Sequence, residues 1–214
     1  MQSRRLNKCS GASLAGTLFV SGWGGYDFLF PNLSKQTRFI LPFDPAEITA
    51  LKSLLSRKWD LVIGWSLGAH LCLKNINVIR ADRLVLVSPF LDFCRGSSRE
   101  KVLKMISGMD KDPERTMRWF WKLCGIRNPP QRFIHEHQKL KLCLNFLCQS
   151  RVNPEQIESE LPVILIHGLK DKIVPIKASE IILEYLPNAC YHPLPFGHFI
   201  PEEEIIKAVY GQSD

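Results

Sequence analysis

The sequence predicts an α/β fold: a mainly parallel sheet with helices on both faces and a helical lid inserted between the fourth and fifth strands. Three observations carry this expectation. Short, continuous apolar runs recur along the chain, as parallel strands covered on both faces require. Helical patterns lie between several of them, the alternation from which parallel sheets are built. Residues 97–149 then break the alternation, with no strand pattern and several bulky aromatics.

The first run is TLFVS at 17–21, followed by the glycine-rich stretch SGWGGYDF. The second is RFIL at 38–41. Asp44, Pro45 and Glu47 read as the N-cap, first-turn proline and acidic third position of a helix that reaches Leu55. The third strand is LVI at 61–63, and it runs straight into Leu67, Ala69, Leu71, Cys72 and Leu73, a pattern that suits a buried helix. The fourth is LVLVS at 84–88. In the insertion, Asp112, Pro113 and Glu114 open a helix with good capping chemistry. Trp119, Phe120, Trp121, Phe133, Leu140 and Leu144 give this segment more apolar bulk than a solvated loop needs, so it is expected to fold over one end of the sheet. VILIH at 163–167 is the fifth strand and 189–194 the sixth, with helices near 178–185 and in the closing PEEEIIKAVY.

A chain of 214 residues suits one well-buried domain, 1–214, with 95–149 as an insertion within it. No apolar run approaches the length of a membrane span, and MQSRRLNKCSGASLAG lacks the apolar core of a signal peptide. The seven cysteines are odd in number, scattered and never spaced C-x-x-C. Reduced thiols in a cytoplasmic protein, with no structural metal, are therefore expected; a monomer is expected as well. The net charge of +7 is localised. Twelve Lys/Arg face five Asp/Glu between Arg95 and Lys141, which is the whole excess, and the rest of the chain is neutral. That predicts one basic face.

The chemistry is read from Ser66. It stands in Gly64-Trp65-Ser66-Leu67-Gly68, between a predicted strand and a predicted helix, which is the setting of a nucleophile elbow. A serine here could equally cap the helix. A nucleophilic serine needs a histidine to take its proton and a carboxylate to orient the imidazole. Both are sought just after strands, in the order serine, acid, histidine. Asp171 follows the fifth strand in GLKDKIVP, and Asp92 after the fourth strand competes with it. His198 follows the last strand in LPFGHFIP. His192 lies inside that strand, and His70, His135, His137 and His167 are read as structural or solvated. Two backbone N–H groups must also meet the charge that develops on the attacked carbonyl oxygen. Leu67 should supply one and Trp23, between glycines, the other, with its indole walling the acyl pocket.

Together these pieces resemble the α/β-hydrolase family from Thr17 to Tyr210. More narrowly, GWGG, IGWSLGAH, GLKDKIVP and FGHFIP are similar to the pimeloyl-[acyl-carrier protein] methyl ester esterases of biotin synthesis, in a compact version. Ser21 stands where many relatives have a histidine. The resemblance implies the α/β-hydrolase fold, Ser66, Asp171 and His198 as triad, Trp23 and Leu67 as oxyanion donors, and no cofactor. It also implies an acyl-carrier protein as partner. Carrier proteins of this kind are acidic, so a basic docking face is expected, with Arg115, Arg118, Lys122, Arg127 and Arg132 as candidates. No nucleic-acid motif accompanies that charge. The implied activity is hydrolysis of a carrier-bound pimeloyl methyl ester. A generalist carboxylesterase or thioesterase with the same machinery, and a non-catalytic hydrolase-fold binding protein, are the alternatives.

Overall fold

The computed structural model describes residues 14–43, 45–95, 98–129, 136–157 and 159–211. Six strands form one sheet: β1 (Thr17–Val20), β2 (Arg38–Ile40), β3 (Lys58–Trp65), β4 (Arg80–Val87), β5 (Val163–Gly168) and β6 (Cys190–Leu194). Their spatial order is β2-β1-β3-β4-β5-β6, and every neighbouring pair is parallel. Among the described residues, eight α-helices connect or cover the strands: α1 (Pro31–Gln36), α2 (Pro45–Leu55), α3 (Leu67–Lys74), α4 (Ser98–Lys111), α5 (Pro113–Cys124), α6 (His137–Gln149), α7 (Lys177–Tyr185) and α8 (Glu202–Tyr210).

The two faces of the sheet follow from the two-residue period of strands. Leu18, Val62, Leu84, Leu86 and Leu165 point to one side, where they pack with Leu51 and Leu55 of α2, Leu71 of α3 and Ile182 of α7. Phe19, Ile63, Val85, Ile164 and Ile166 point to the other, against Leu33 of α1 and Ile205 and Val209 of α8. A continuous apolar run is thus two interleaved surfaces, each buried under its own helices.

Two strands begin earlier than their apolar runs suggest. β3 starts at Lys58 and β4 at Arg80, and their first residues are exposed or half-buried. Those ends project past the covering helices, so they need no apolar side chains to stay in the ladder. The capping chemistry predicted for α5 is present. The Asp112 carboxylate accepts the Arg115 N–H at 2.9 Å, Pro113 follows, and Gly125 closes the helix at φ 97°. Asp44, the expected cap of α2, lies outside the described residues, but the Glu47 carboxylate accepts the Phe43 N–H at 2.8 Å.

Helices α4, α5 and α6 form the insertion between β4 and β5 and lie over the end of the sheet where β1 and β3 finish. Two buried indoles fasten them there. Trp121 of α5 donates to the Gly24 carbonyl at 2.9 Å, and Trp23 donates to the Leu140 carbonyl of α6 at 2.9 Å. At the neck the chain enters and leaves side by side. Asp92 bridges Arg151 in antiparallel fashion, the Val152 N–H donates to Leu91 at 2.9 Å, and the Cys94 thiol donates to the Cys148 sulfur at 3.3 Å. Among the described residues, no helix is long and apolar enough to cross a membrane.

Candidate active site

Three chain segments meet beyond the ends of β3, β5 and β6. The first is the turn from β3 into α3. Ser66 sits there at φ 54° and ψ −113°, a conformation that costs a non-glycine residue about 1–3 kcal/mol and persists only where its surroundings impose it. Its N–H donates to the Val87 carbonyl at 2.8 Å and its own carbonyl accepts from His70 at 2.9 Å, which holds the corner from both sides. Close approach explains the flanking glycines. A Cβ on Gly68 would lie 1.9 Å from the Val20 carbonyl oxygen, and one on Gly64 would lie 2.7 Å from the Ala69 Cα. The Ser66 side chain makes no cap to α3, which sets aside the helix-capping reading.

The second segment is the loop after β5, which carries Asp171, and the third is the loop after β6, which carries His198. The Lys170 N–H donates to Phe196 and the Phe199 N–H to Cys124, both at 2.8 Å, and the Trp65 indole donates to the His198 carbonyl at 3.0 Å. The three predicted side chains then form one relay. Asp171 Oδ2 accepts from His198 Nδ1 at 2.7 Å, and His198 Nε2 accepts the Ser66 hydroxyl at 2.8 Å. Both bonds are within hydrogen-bond reach, and this tautomer leaves Nε2 free to take a proton. Burial alone would raise the Asp171 carboxyl. That is the largest single influence, but the charge of His198 and hydrogen bonds from His167, His198 and the Val174 N–H together outweigh it, and the carboxyl is held well below the usual range.

Asp92, the competing acid, is turned elsewhere. It pairs with Arg151 at 3.1 Å and accepts the Cys94 N–H at 3.0 Å. His70 is fully buried between Phe90 O at 3.0 Å and Ser150 Oγ at 2.8 Å, and desolvation lowers it to about 4. His192 lies in β6 with its Nε2 3.3 Å from the Cys190 sulfur, and His135 lies outside the described residues.

His167 has more to do than its sequence context suggests. Fully buried at the end of β5, it donates from Nε2 to the Val174 carbonyl at 3.0 Å, and Nδ1 accepts the Ser179 hydroxyl at 2.6 Å. Nε2 also stands 3.4 Å from Asp171 Oδ2. The ring therefore stands against the same carboxylate oxygen that accepts from His198. His167→Ala would strand two buried polar partners at a cost of about 1–3 kcal/mol each. A melting temperature several degrees lower, and a kcat about tenfold lower with KM little changed, are expected from thermal unfolding and steady-state assays.

Trp23 and Leu67 flank the serine. A Cβ on Gly22 would lie 2.9 Å from the Ser66 Cβ, so the loop after β1 rests directly against the elbow. Leu67 begins α3, and its N–H is one of the first-turn donors with no carbonyl a turn behind it. Above Ser66 lies a cavity of about 370 Å³, walled by Trp23, Phe90, Phe120 and Leu144 with Lys101 and Lys172 among its lining. Trp23 meets Phe120 edge-on at 4.6 Å, so its indole does wall the cavity.

The five basic candidates separate. Arg118 pairs with Glu114 at 3.3 Å, and Arg115 borders a hollow with Lys104, Lys111 and Trp119. Lys122 and Arg127 instead line a groove beside His198, with Lys170 and Lys172. Arg132 lies outside the described residues. A count confined to the insertion could not find Lys170 and Lys172, although they flank Asp171 in the sequence.

Among known proteins, the family Serine hydrolase (FSH1) matches residues 48–209. The chain is 24% identical to the pimeloyl-[acyl-carrier protein] methyl ester esterase of Chromobacterium violaceum, over 90% of this chain and 91% of that one. Among solved structures, an esterase from Exiguobacterium antarcticum superposes with a TM-score of 0.67 at 16% identity, covering 91% of this chain and 90% of that one. A lipase-esterase related protein from Clostridium acetobutylicum gives 0.67 at 16% identity, with 91% and 93% covered. The structural likenesses carry the fold, and the family match over most of the chain carries the chemistry: this protein belongs to the serine hydrolase (FSH1) family and is an ester hydrolase of the α/β-hydrolase type.

Proposed function

We propose that the protein hydrolyses the methyl ester of a pimeloyl chain carried on an acyl-carrier protein. Ser66 attacks the ester carbonyl while His198 takes its proton, and Asp171 holds the imidazole in the receiving tautomer and stabilises its charged form. The N–H groups of Leu67 and Trp23 hold the oxyanion. His198 returns the proton to the departing methoxide, which leaves as methanol. It then deprotonates a water that frees the acyl chain from Ser66.

The observation that carries this reading is the relay at 2.7 and 2.8 Å opening into an apolar cavity. At about 370 Å³ the cavity sits at the low end of the roughly 300–1,000 Å³ of small-molecule sites and suits a short acyl chain. Support for the carrier comes from the likeness to the Chromobacterium pimeloyl-[acyl-carrier protein] methyl ester esterase and from the excess of +7 on the insertion. Family membership sets aside the non-catalytic binding protein.

Charge reversal tests the partner. Changing Arg115 and Arg127 to glutamate is expected to raise KM for the carrier-bound ester about tenfold or more and leave kcat nearly unchanged, because docking acts on encounter and binding. Rates on p-nitrophenyl acetate measured beside it report on the lid. Loss on both substrates means that the lid has collapsed. No loss on either, or no preference of the wild type for the carrier-bound ester over free short esters, returns the protein to the generalist esterase or thioesterase reading.

A further inference from the structure

The groove beside His198 gathers four cations from two distant stretches of chain. Lys122 comes from the last turn of α5 and Arg127 from just after it, while Lys170 and Lys172 come from the loop after β5. All four are exposed. None stands within ion-pair distance of a carboxylate among the described residues. Elsewhere on the insertion the pattern is mixed: Lys104 pairs with Glu100 at 2.8 Å, Arg118 with Glu114 at 3.3 Å and Lys141 with Asp110 at 2.6 Å, while Arg99, Lys101, Lys111 and Arg115 make no ion pair among the described residues. Two carboxylates that adjoin lining residues of the groove are spent on other partners. Asp171 turns inward to His198 and to the N–H groups of Ile173 and Val174, and Glu202 accepts from Asn32 and Leu33. Four unmatched charges, from two separate stretches of chain, therefore share one hollow of about 620 Å³.

That hollow adjoins the cavity above Ser66. Leu123 and Lys172 line both, so a chain lying in the cavity leaves past them into the cations. A single exposed cation holds an anion weakly in water, and several around one groove focus the field enough to make a site. Lysine and arginine donors without a carboxylate among them suit phosphoryl oxygens. An acyl chain rides its carrier as the thioester of a phosphopantetheine arm, and that arm has one phosphate between protein and thioester.

We infer that Lys122, Arg127, Lys170 and Lys172 form a phosphate site that grips the substrate's phosphopantetheine arm while the acyl chain lies in the cavity. This rests on the carrier-bound substrate proposed above and adds to it a subsite for the arm, distinct from contact with the carrier's protein surface. The enzyme recognises the arm even when no carrier protein is attached.

The test needs no carrier. Methyl pimeloyl thioesters of pantetheine and of 4′-phosphopantetheine are compared as substrates of the whole enzyme at low salt, with methanol release as the readout. The phosphorylated thioester should have a kcat/KM about tenfold higher, mostly through KM, which is the size of two exposed ionic contacts. In the double variant Lys170→Gln, Arg127→Gln that ratio should fall towards one. Because the ratio is internal to each protein, a partly unfolded variant cannot imitate the result. Added salt should erode the wild-type ratio as the Debye length shrinks from about 10 Å at 0.1 M to about 3 Å at 1 M. A wild-type ratio near one, with both thioesters and the carrier-bound ester hydrolysed, overturns the phosphate site and leaves the proposed function standing. The same holds if the variant harms only the carrier-bound ester, which would make the groove a contact for protein carboxylates. Hydrolysis of p-nitrophenyl acetate with none of the three pimeloyl substrates turned over overturns the proposed function, and the phosphate site with it.

Discussion

Ser66→Ala is expected to lower kcat for any ester substrate by three orders of magnitude or more while leaving the fold intact. The relay works as a unit, so loss of the attacking oxygen removes what His198 and Asp171 contribute as well. The fold should tolerate the change. Among the described residues the Ser66 hydroxyl bonds only to His198 Nε2, and alanine at φ 54° carries much the same backbone strain as serine. Thermal unfolding should move by a degree or two, and steady-state assays should find activity near background. A variant that keeps more than about a tenth of the wild-type rate, only ~1.4 kcal/mol of barrier, would contradict the assignment of the nucleophile.

The second large effect belongs to Asp171→Asn. The amide can still accept the N–H groups of Ile173 and Val174, which bond to Oδ1 at 2.7 and 2.9 Å, so the turn should survive. Facing His198 Nδ1, however, the amide can present N–H where the carboxylate presented a lone pair. That favours the tautomer with its proton on Nε2, which cannot take one from Ser66, and no anion remains to stabilise the imidazolium. A fall in kcat of about a thousandfold or more is expected. Asp92→Asn gives up an ion pair to Arg151, whose side chain is largely exposed, and should change kcat less than about threefold. Measuring both variants on one substrate decides between the acids. Equal or reversed effects would move the orienting role to Asp92.

The sequence alone carried much of this site, for a physical reason. A strand covered on both faces must be apolar, and a glycine-serine-glycine corner after it has few uses, so Ser66 was legible from its neighbours. Asp171 and His198 were findable because a parallel sheet delivers its loops to one end. The choice between Asp171 and Asp92 was not, since both follow strands and only the third dimension turns Asp92 towards Arg151. His167 was missed because nothing in the order of residues says that the last side chain of β5 packs beneath the carboxylate four residues on. Lys170 and Lys172 were missed because charge balance along a chain is not balance in space: the acids that cancel them in a count lie elsewhere. Helix α4 does carry an apolar stripe at helical spacing, Val102, Met105, Ile106 and Met109, set in an otherwise polar stretch interrupted by Gly108.

The central claim, that Ser66 is the nucleophile of a working relay, is tested most directly by labelling with a fluorophosphonate. Such probes phosphonylate a serine only where a neighbouring base has activated it. Intact-mass analysis followed by peptide mapping should find one adduct per chain on Ser66, formed rapidly by the wild type and far more slowly by Asp171→Asn. No adduct under conditions in which esters are turned over, or an adduct on another serine while Ser66 stays unmodified, would contradict the account.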